Sequence, residues 1–480
     1  MKLYNKVGDE LYILYHYKEG LETGDSLLIW DGEARRGLLS YVIGHEFITV
    51  SGILDELIKR EIVEKEYNIM EYSSEELSKL LSRVSSLKIA KAKIIMEVKD
   101  GEVTFWSGWI PTREVSIKRL SHNDLTKILM LDKRNVDILI GESLDESEVY
   151  IDGADLQGIN IITGEKGSGK SHLAKTLLTN IIKAGGKAIV IDLNNEYSGL
   201  RVYENGNKSD LFDKIIVLRP GTDEFCFKTS EVGLRVMQVI LGSILNLPDR
   251  STQVFTTVWK WLESRGMEPT LKSITDTVNR LNIHESIKDA IISRLSLLES
   301  MGLIRDIEET TDLYNLIFDR LREGGALIIN LRGLDYQTML VAIQILISKI
   351  AEILERSSEG IFIFIEEAQL YMRRTEWLNL ITRVRHLGLY QFYITNTPRS
   401  IPPEAIEQAD NLFLYRLSDE DDVKYVTSIA RMDARSLREL ANSIPYRRFI
   451  LFGKASKYYP ITVNNIKIPY ITAGMTKRIW

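Results

Sequence analysis

The sequence predicts an α/β protein built on a largely parallel sheet, preceded by a small β domain and interrupted by an all-helical insertion. Three observations point there. From about Ile159 onward, short and almost wholly apolar runs alternate with helix-length segments, which is how strands buried on both faces read. The first 120 residues instead carry short Leu-, Ile- and Tyr-rich runs broken by glycines. From Asp249 to about Arg305 only helical periodicity is visible. At 480 residues the chain is roughly three times a usual single domain, so two or three cores are expected.

Taken in order, Leu11 to Tyr17, Ser26 to Trp30 and Leu38 to Ile43 are the first expected strands, separated by Gly20, Gly24, Asp31-Gly32 and Gly44. Ser73-Ser74-Glu75-Glu76 opens a segment with Leu77, Leu80, Leu81 and Val84 at helical spacing. Ile94 to Val98, Asp100-Gly101 and Val103 to Trp106 form a hairpin signal, because Asp-Gly tolerates the positive φ angles of a two-residue turn. The sheet strands of the second part are expected at 159–163, 188–192, 214–218, 326–331, 361–365, 391–395 and 412–415. In the insertion, Val258, Trp261 and Leu262, then Ile287, Ile291, Leu295 and Leu298, mark the helical stripe. The expected organisation is thus a small β domain over 1–135, an α/β core over 136–465 with the insertion at about 249–305, and a tail over 466–480.

Composition excludes several classes. One Cys in the chain rules out a disulfide scaffold and a Cys-based zinc site, and makes a reducing, cytoplasmic setting the expectation. Uninterrupted apolar runs such as 326–331 and 361–365 fall far below the roughly 18 residues of a membrane helix, so no membrane partner is expected. Asp9 and Glu10 stand where a signal peptide needs an apolar core. The net charge is −6, but residues 1–150 hold 20 Lys and Arg against 27 Asp and Glu, while the remainder is nearly balanced at 41 against 40. The acidity belongs to the N-terminal part. Arg373, Arg374, Arg383, Arg385 and Arg399 occupy a stretch with the single acid Glu376, a local cluster that suits either phosphate or ordinary surface ion pairs.

Gly164-Glu165-Lys166-Gly167-Ser168-Gly169-Lys170-Ser171 matches GxxxxGK[ST] in full, between an expected strand and an expected helix starting at His172. Gly164, Gly167 and Gly169 let backbone amides turn inward around phosphates at a helix N-terminus, with Ser168 and His172 flanking the turn. Lys170 would reach the β and γ phosphates and Ser171 would hold Mg²⁺, so ATP and Mg²⁺ are the expected cofactors. Ile361 to Ile365 then runs into Glu366-Glu367, two carboxylates at the C-terminal end of a buried strand. Glu366 would act on the metal and Glu367 on the attacking water, a pair that favours a hydrolase doing mechanical work. The other reading is an acidic pair complementing a helix N-terminus. Asp192 ends the second strand of this part and is by spacing equally a site carboxylate or a turn cap. Asn396 ends the strand 391–395, where an amide can sense a γ-phosphate. Arg383 or Arg385 could reach a neighbour's nucleotide.

As an ordered set these pieces resemble the HerA family of the HerA/FtsK superfamily of hexameric DNA-translocating ATPases. The residues carrying the resemblance are Gly164 to Ser171, Asp192 with Glu196-Tyr197, Glu366-Glu367-Ala368-Gln369, Arg383 to Gly388, Thr395 to Arg399, and Pro402 to Ile406 leading to Ala409-Asp410-Asn411. The resemblance implies a RecA-like P-loop core, an N-terminal β-barrel and a homohexameric ring that threads double-stranded DNA. It also implies a NurA-like nuclease on the N-terminal domain, with a role in end processing. By carry-over, Lys170 and Ser171 bind nucleotide and metal, Glu366 and Glu367 do metal and water work, Asp192 supports them, and Arg383 or Arg385 is the trans-acting finger. Arg373 and Arg374 are the candidates for DNA contact, with a surface location the alternative. The tail would brace a neighbouring subunit. Two departures stand out: Glu366 replaces a frequent Asp, and Thr395-Asn396-Thr397-Pro398 replaces Ser-Gln-Arg-Pro, leaving Asn396 one methylene short. A motor of a DNA-transfer or secretion apparatus related to conjugative ATPases is the alternative function.

Overall fold

The computed structural model describes residues 1–47, 87–222, 224–372, 375 and 385–471. The helix expected from Ser73, together with Arg373, Arg374, Arg383 and residues 472–480 of the tail, lies outside them. The chain divides into two compact units, one comprising residues 1–134, 140–151 and 412–466, the other 135–139, 152–411 and 467–480.

The first unit opens with strands β1 (Lys2–Val7), β2 (Glu10–His16), β3 (Ser26–Asp31), β4 (Arg36–Phe47), β5 (Leu87–Lys99), β6 (Glu102–Phe105) and β7 (Ser116–Arg119). They form a seven-stranded antiparallel sheet in the order β1-β2-β5-β4-β3-β7, with β6 paired to β5. Alternation decides which face is buried: Leu11, Ile13 and Tyr15 of β2 pack with Leu27, Ile29, Leu38, Val42, Ala90 and Ala92. The β5–β6 hairpin turns at Asp100 and Gly101 with φ of 51° and 84°, the left-handed pair that a two-residue turn demands. Strands β8 (Asp137–Glu142) and β9 (Glu148–Asp152) follow.

The second unit is built on β10 (Ile159–Thr163), β11 (Lys187–Asp192), β12 (Ile215–Leu218), β13 (Gly325–Asn330), β14 (Ile361–Glu366) and β15 (Leu389–Thr395). All pair in parallel, in the order β12-β13-β11-β14-β15-β10. Every residue of β10, β11 and β13 is buried, which is why these strands read as unbroken apolar runs rather than as alternation. Helix α1 (Lys170–Lys183) follows β10. Between β12 and β13 the chain forms α2 (Asp249–Ser264), α3 (Leu271–Arg280) and α4 (Glu285–Ser300). The buried stripe of α2 runs through Phe255, Val258, Trp259 and Leu262, not through Trp261 as expected. Trp261 is 41% exposed and carries the Arg265 guanidinium over its ring at 4.6 Å.

Helix α5 (Tyr336–Arg356) corrects the reading of apolar runs. It is 21 residues long, with a mean hydropathy of 1.5 over its most apolar window, so by length and composition it could cross a membrane. Gln344, Ser348 and Lys349 interrupt its apolar run, which hid it from a count of uninterrupted stretches. Its side chains from Met339 to Ile347 are almost all buried within the second unit, as in the core helix of a folded domain.

Strands β16 (Ala409–Leu414), β17 (Arg448–Gly453) and β18 (Ile461–Asn464), with α6 (Ala434–Ser443), complete the chain. Residues 412–466 group with 1–134, so the compact units do not follow the linear division at 135 and 465. Long-range polar bonds accompany this grouping. Lys91 and Lys93 of β5 are buried, Lys91 against Glu46 at 3.2 Å and Glu439 at 3.4 Å, Lys93 against Asp9 at 2.7 Å and Asp433. Gly44 makes room for this, since a Cβ there would lie 2.5 Å from the Glu439 carboxylate. The Tyr459 hydroxyl donates to the Ser40 carbonyl at 3.0 Å.

Asp433 also caps α6 by accepting the Ser436 N–H at 2.9 Å. Burial alone would push its carboxyl up, but the Lys93 ammonium and the Ser436 amide outweigh that and hold it at about 2. A carboxylate held below its unfolded value stabilises the fold above about pH 4 and loses that contribution as pH falls towards 2. Asp433→Asn is therefore expected to lower the thermal midpoint at pH 7 and to flatten its decline between pH 4 and 2. Equal slopes for variant and parent in a midpoint-against-pH series would contradict this account.

Candidate functional site

The end of β10 enters the turn Gly164 to Ser171, which leads directly into α1. Gly164, Gly167 and Gly169 have φ of 149°, 80° and 119°, values that a side chain resists. Space is not the reason at Gly167, where a Cβ would meet nothing within 4 Å. The Lys170 ammonium folds back onto the carbonyl oxygens of Gly164 at 2.8 Å and Glu165 at 2.7 Å. Burial lowers its pKa to about 8 against the opposing charges of Glu367, Glu366 and Glu165. Ser168 is buried and its Oγ has no hydrogen-bond partner among the described residues. His172 donates its backbone N–H to Gly169 at 3.1 Å within the first helical turn, next to the partly exposed Ser171.

A second cluster stands at the C-terminal ends of β11, β14 and β15. Asp192 ends β11, is fully buried, and accepts the N–H groups of Asn194, Glu196 and Tyr197 at 3.3, 2.9 and 3.0 Å. It is thus a turn cap as well as a carboxylate beside the site. Burial raises its pKa against those N–H bonds. The turn aims the Tyr197 hydroxyl at Glu366 Oε1, 2.7 Å away. Glu366 is 3% exposed, and burial, with the Glu196 charge adding to it, pushes its carboxyl up to about 8. Glu196 pairs with Lys175 of α1 at 3.2 Å.

Glu367 breaks from the strand with φ of 46°, in the left-handed region that a glutamate seldom adopts, while its N–H stays bonded to the Ile394 carbonyl at 3.1 Å. The Asn396 amide donates to the Glu367 carboxylate at 3.1 Å. The shorter amide at the tip of β15 therefore reaches a carboxylate, whatever it does towards a phosphate.

Lys170, Glu366 and Glu367 are thus electrostatically coupled, and Asp192 and Asn396 adjoin the two glutamates. The Arg385–Leu387 segment forms a short 3₁₀ turn ahead of β15. Sequence reading gave no role to Tyr197, Lys175 or Tyr371, the last of which donates its hydroxyl to the Glu366 carbonyl at 3.1 Å. Glu196-Tyr197 is part of the family pattern, but nothing local in the sequence connects it to Glu366. The buried Ser168 oxygen, the open space beside Gly167 and the Lys170 ammonium fit a polyphosphate. The buried Glu366 carboxylate and the Ser171 hydroxyl are donors of the hard-oxygen type that suits Mg²⁺.

Residues 138–350 match the family model described as "Helicase HerA, central domain". That span holds the phosphate loop and Asp192, while Glu366, Glu367 and Asn396 lie beyond it. No curated protein sequence matches the chain. Among solved structures, VirB4 of Thermoanaerobacter pseudethanolicus is similar with a TM-score of 0.53 at 15% identity, over 70% of this chain and 98% of that one. The bacterial conjugative coupling protein TrwB, in an unbound form, gives a TM-score of 0.52 at 12% identity, over 74% and 94% of the two chains. TrwB in complex with the non-hydrolysable ATP analogue ADPNP gives 0.52 at 14%, over 74% and 95%. At such identities the likeness is one of fold, an α/β architecture around a large sheet. The match over residues 138–350, less than half of the chain, agrees with the resemblance to the HerA family that the ordered motifs carry.

Proposed function

We propose that the protein is an ATP-hydrolysing motor that works as a hexameric ring on double-stranded DNA. The observation that carries the reading is a glycine-rich phosphate loop at the end of β10 and two successive glutamates at the end of β14, parallel strands separated by β15 alone, one glutamate buried and one held in a left-handed turn. In this reading Gly164, Gly167, Ser168, Gly169, Lys170, Ser171 and His172 form the nucleotide cradle. Lys170 exchanges its two carbonyl partners for phosphate oxygens, which are charged acceptors and strengthen its hydrogen bonds. Ser171 and Glu366 would hold Mg²⁺, which would supply positive charge beside the phosphates. Glu367 orients the attacking water and takes up its proton, with Asn396 fixing the carboxylate. Asp192 shapes the turn that supports Glu366. Arg383 or Arg385 reaches the nucleotide of the adjacent subunit, and Arg373 and Arg374 face DNA. TrwB binds ADPNP, and ADP with Mg²⁺, which supports the same ligands here.

The first 135 residues serve in this reading as a barrel-like collar for a nuclease partner of the NurA kind, in DNA end processing in the cytoplasm. A second reading, a motor of a DNA-transfer apparatus, is favoured by the likeness to VirB4 and TrwB, which covers nearly all of those chains. Flotation with lipid vesicles separates the two, since a transfer-apparatus motor should partition with the membrane. Light scattering coupled to size exclusion, with and without ATP, tests the ring. A hexamer that forms or tightens with ATP is expected, and a monomer under all conditions would remove the shared active site.

A further inference from the structure

We infer that Tyr197 is a positioning residue that holds the Glu366 carboxylate in place through its hydroxyl, so that the metal-binding geometry of the site depends on a tyrosine from a different strand-end. The inference rests on the reading of the site as a Mg²⁺-dependent nucleotide hydrolase.

Glu366 and Tyr197 are 169 residues apart in sequence yet bonded at 2.7 Å, and both are almost wholly buried, with Tyr197 at 0% exposure. A hydrogen bond from a fixed hydroxyl to a buried carboxyl oxygen is directional, so it selects one orientation of a side chain that otherwise rotates about three bonds. Tyr197 is itself fixed at two points. Its backbone N–H is held by the Asp192 carboxylate at 3.0 Å, and its ring lies under the Lys175 ammonium at 5.6 Å. Lys175 sits one helical turn after Ser171 on α1 and pairs with Glu196, the neighbour of Tyr197. The tyrosine therefore joins three parts of the site: the helix that follows the phosphate loop, the turn after β11, and the glutamate that ends β14. Glu366 is one methylene longer than an aspartate, and the bond removes the extra freedom which that length brings.

The neighbouring Tyr371 supplies an internal control. It is equally buried and also bonds to Glu366, but to the backbone carbonyl, so loss of its hydroxyl leaves the carboxylate orientation alone. Tyr197→Phe and Tyr371→Phe each delete one buried hydroxyl next to the same residue, and only the first should alter the metal site.

The test is equilibrium binding of a fluorescent ATP analogue as Mg²⁺ is titrated, alongside steady-state hydrolysis. For Tyr197→Phe the Mg²⁺ half-saturation point should rise about 10-fold, the scale seen when a partner orienting a metal ligand is removed. Nucleotide affinity without Mg²⁺ should stay within about 2-fold, and excess Mg²⁺ should restore part of kcat. Tyr371→Phe should leave the half-saturation point unchanged. Glu366→Asp, which draws the carboxylate back by one methylene, gives a second measurement should Tyr197→Phe fail to fold. It should reproduce the shift, and adding Tyr197→Phe to it should change nothing further. An unchanged Mg²⁺ requirement in Tyr197→Phe or in Glu366→Asp, or an equal rise in Tyr371→Phe, would overturn the positioning role while leaving the hydrolase reading intact. A parent protein that neither binds nor hydrolyses nucleotide would remove both.

Discussion

Glu367→Gln is expected to lower ATP hydrolysis by about 10²- to 10⁴-fold, the usual contribution of a positioned general base, while nucleotide affinity stays within about 3-fold of the parent. The change is nearly isosteric, and the Gln oxygen can still accept the Asn396 amide, so the left-handed turn at 367 should survive. What is lost is the negative charge that orients and deprotonates water. Rapid-mixing measurement of a single turnover, with binding followed in parallel, checks it. A variant that loses binding in proportion to hydrolysis would assign Glu367 to ground-state contacts and not to the chemical step. Asn396 lies outside that charge, so its own removal should cost far less.

The second large effect concerns the arginines that follow Glu367 in sequence. Alanine at the residue that reaches the neighbouring nucleotide, Arg383 or Arg385, is expected to lower hydrolysis by about 10³- to 10⁵-fold. The distinguishing measurement is complementation. A ring mixed from that variant and Lys170→Ala holds some interfaces at which an intact phosphate loop meets an intact arginine, and these should hydrolyse ATP. Activity should follow the mixing ratio with a maximum between the two inactive extremes. No recovery at any ratio would place the arginine in its own subunit's chemistry or outside the site. Arg373→Ala and Arg374→Ala, by contrast, should leave basal hydrolysis intact and weaken its response to DNA.

What the sequence made legible and what it did not divides along the range of the interactions. The phosphate loop was readable because strand β10, the glycine turn and helix α1 are contiguous, and the glycines at 164, 167 and 169 all take the positive φ that their identity allows. The parallel sheet was readable because burial on both faces leaves a strand no polar alternation. Three features were not. The stripe of α2 was drawn through Trp261 when Trp259 is the buried one, since a single periodicity cannot choose between two tryptophans flanking the edge of a face. The buried helix α5 escaped because Gln344 and Ser348 punctuate it, and Ser348 satisfies its hydroxyl on the Gln344 carbonyl at 3.0 Å. Residues 412–466 were assigned to the motor core because the bonds of Lys91 to Glu439 and Lys93 to Asp433 join positions more than 300 residues apart. The bond from Tyr197 to Glu366 is hidden for the same reason.

The site also shows how a buried lysine is accommodated. The Lys170 ammonium bonds two carbonyl oxygens, and the charges of Glu367, Glu366 and Glu165 oppose the effect of its burial. In the proposed function, phosphate oxygens would replace these neutral acceptors with charged ones.

The measurement that bears most directly on the account is the steady-state ATPase rate of the parent protein with Mg²⁺, with and without linear duplex DNA. The account predicts hydrolysis that rises several-fold with duplex, that requires Glu367, and that falls back when added salt weakens the few arginine contacts with phosphate. Hydrolysis at the same rate with duplex, single strands or no nucleic acid would contradict a DNA motor.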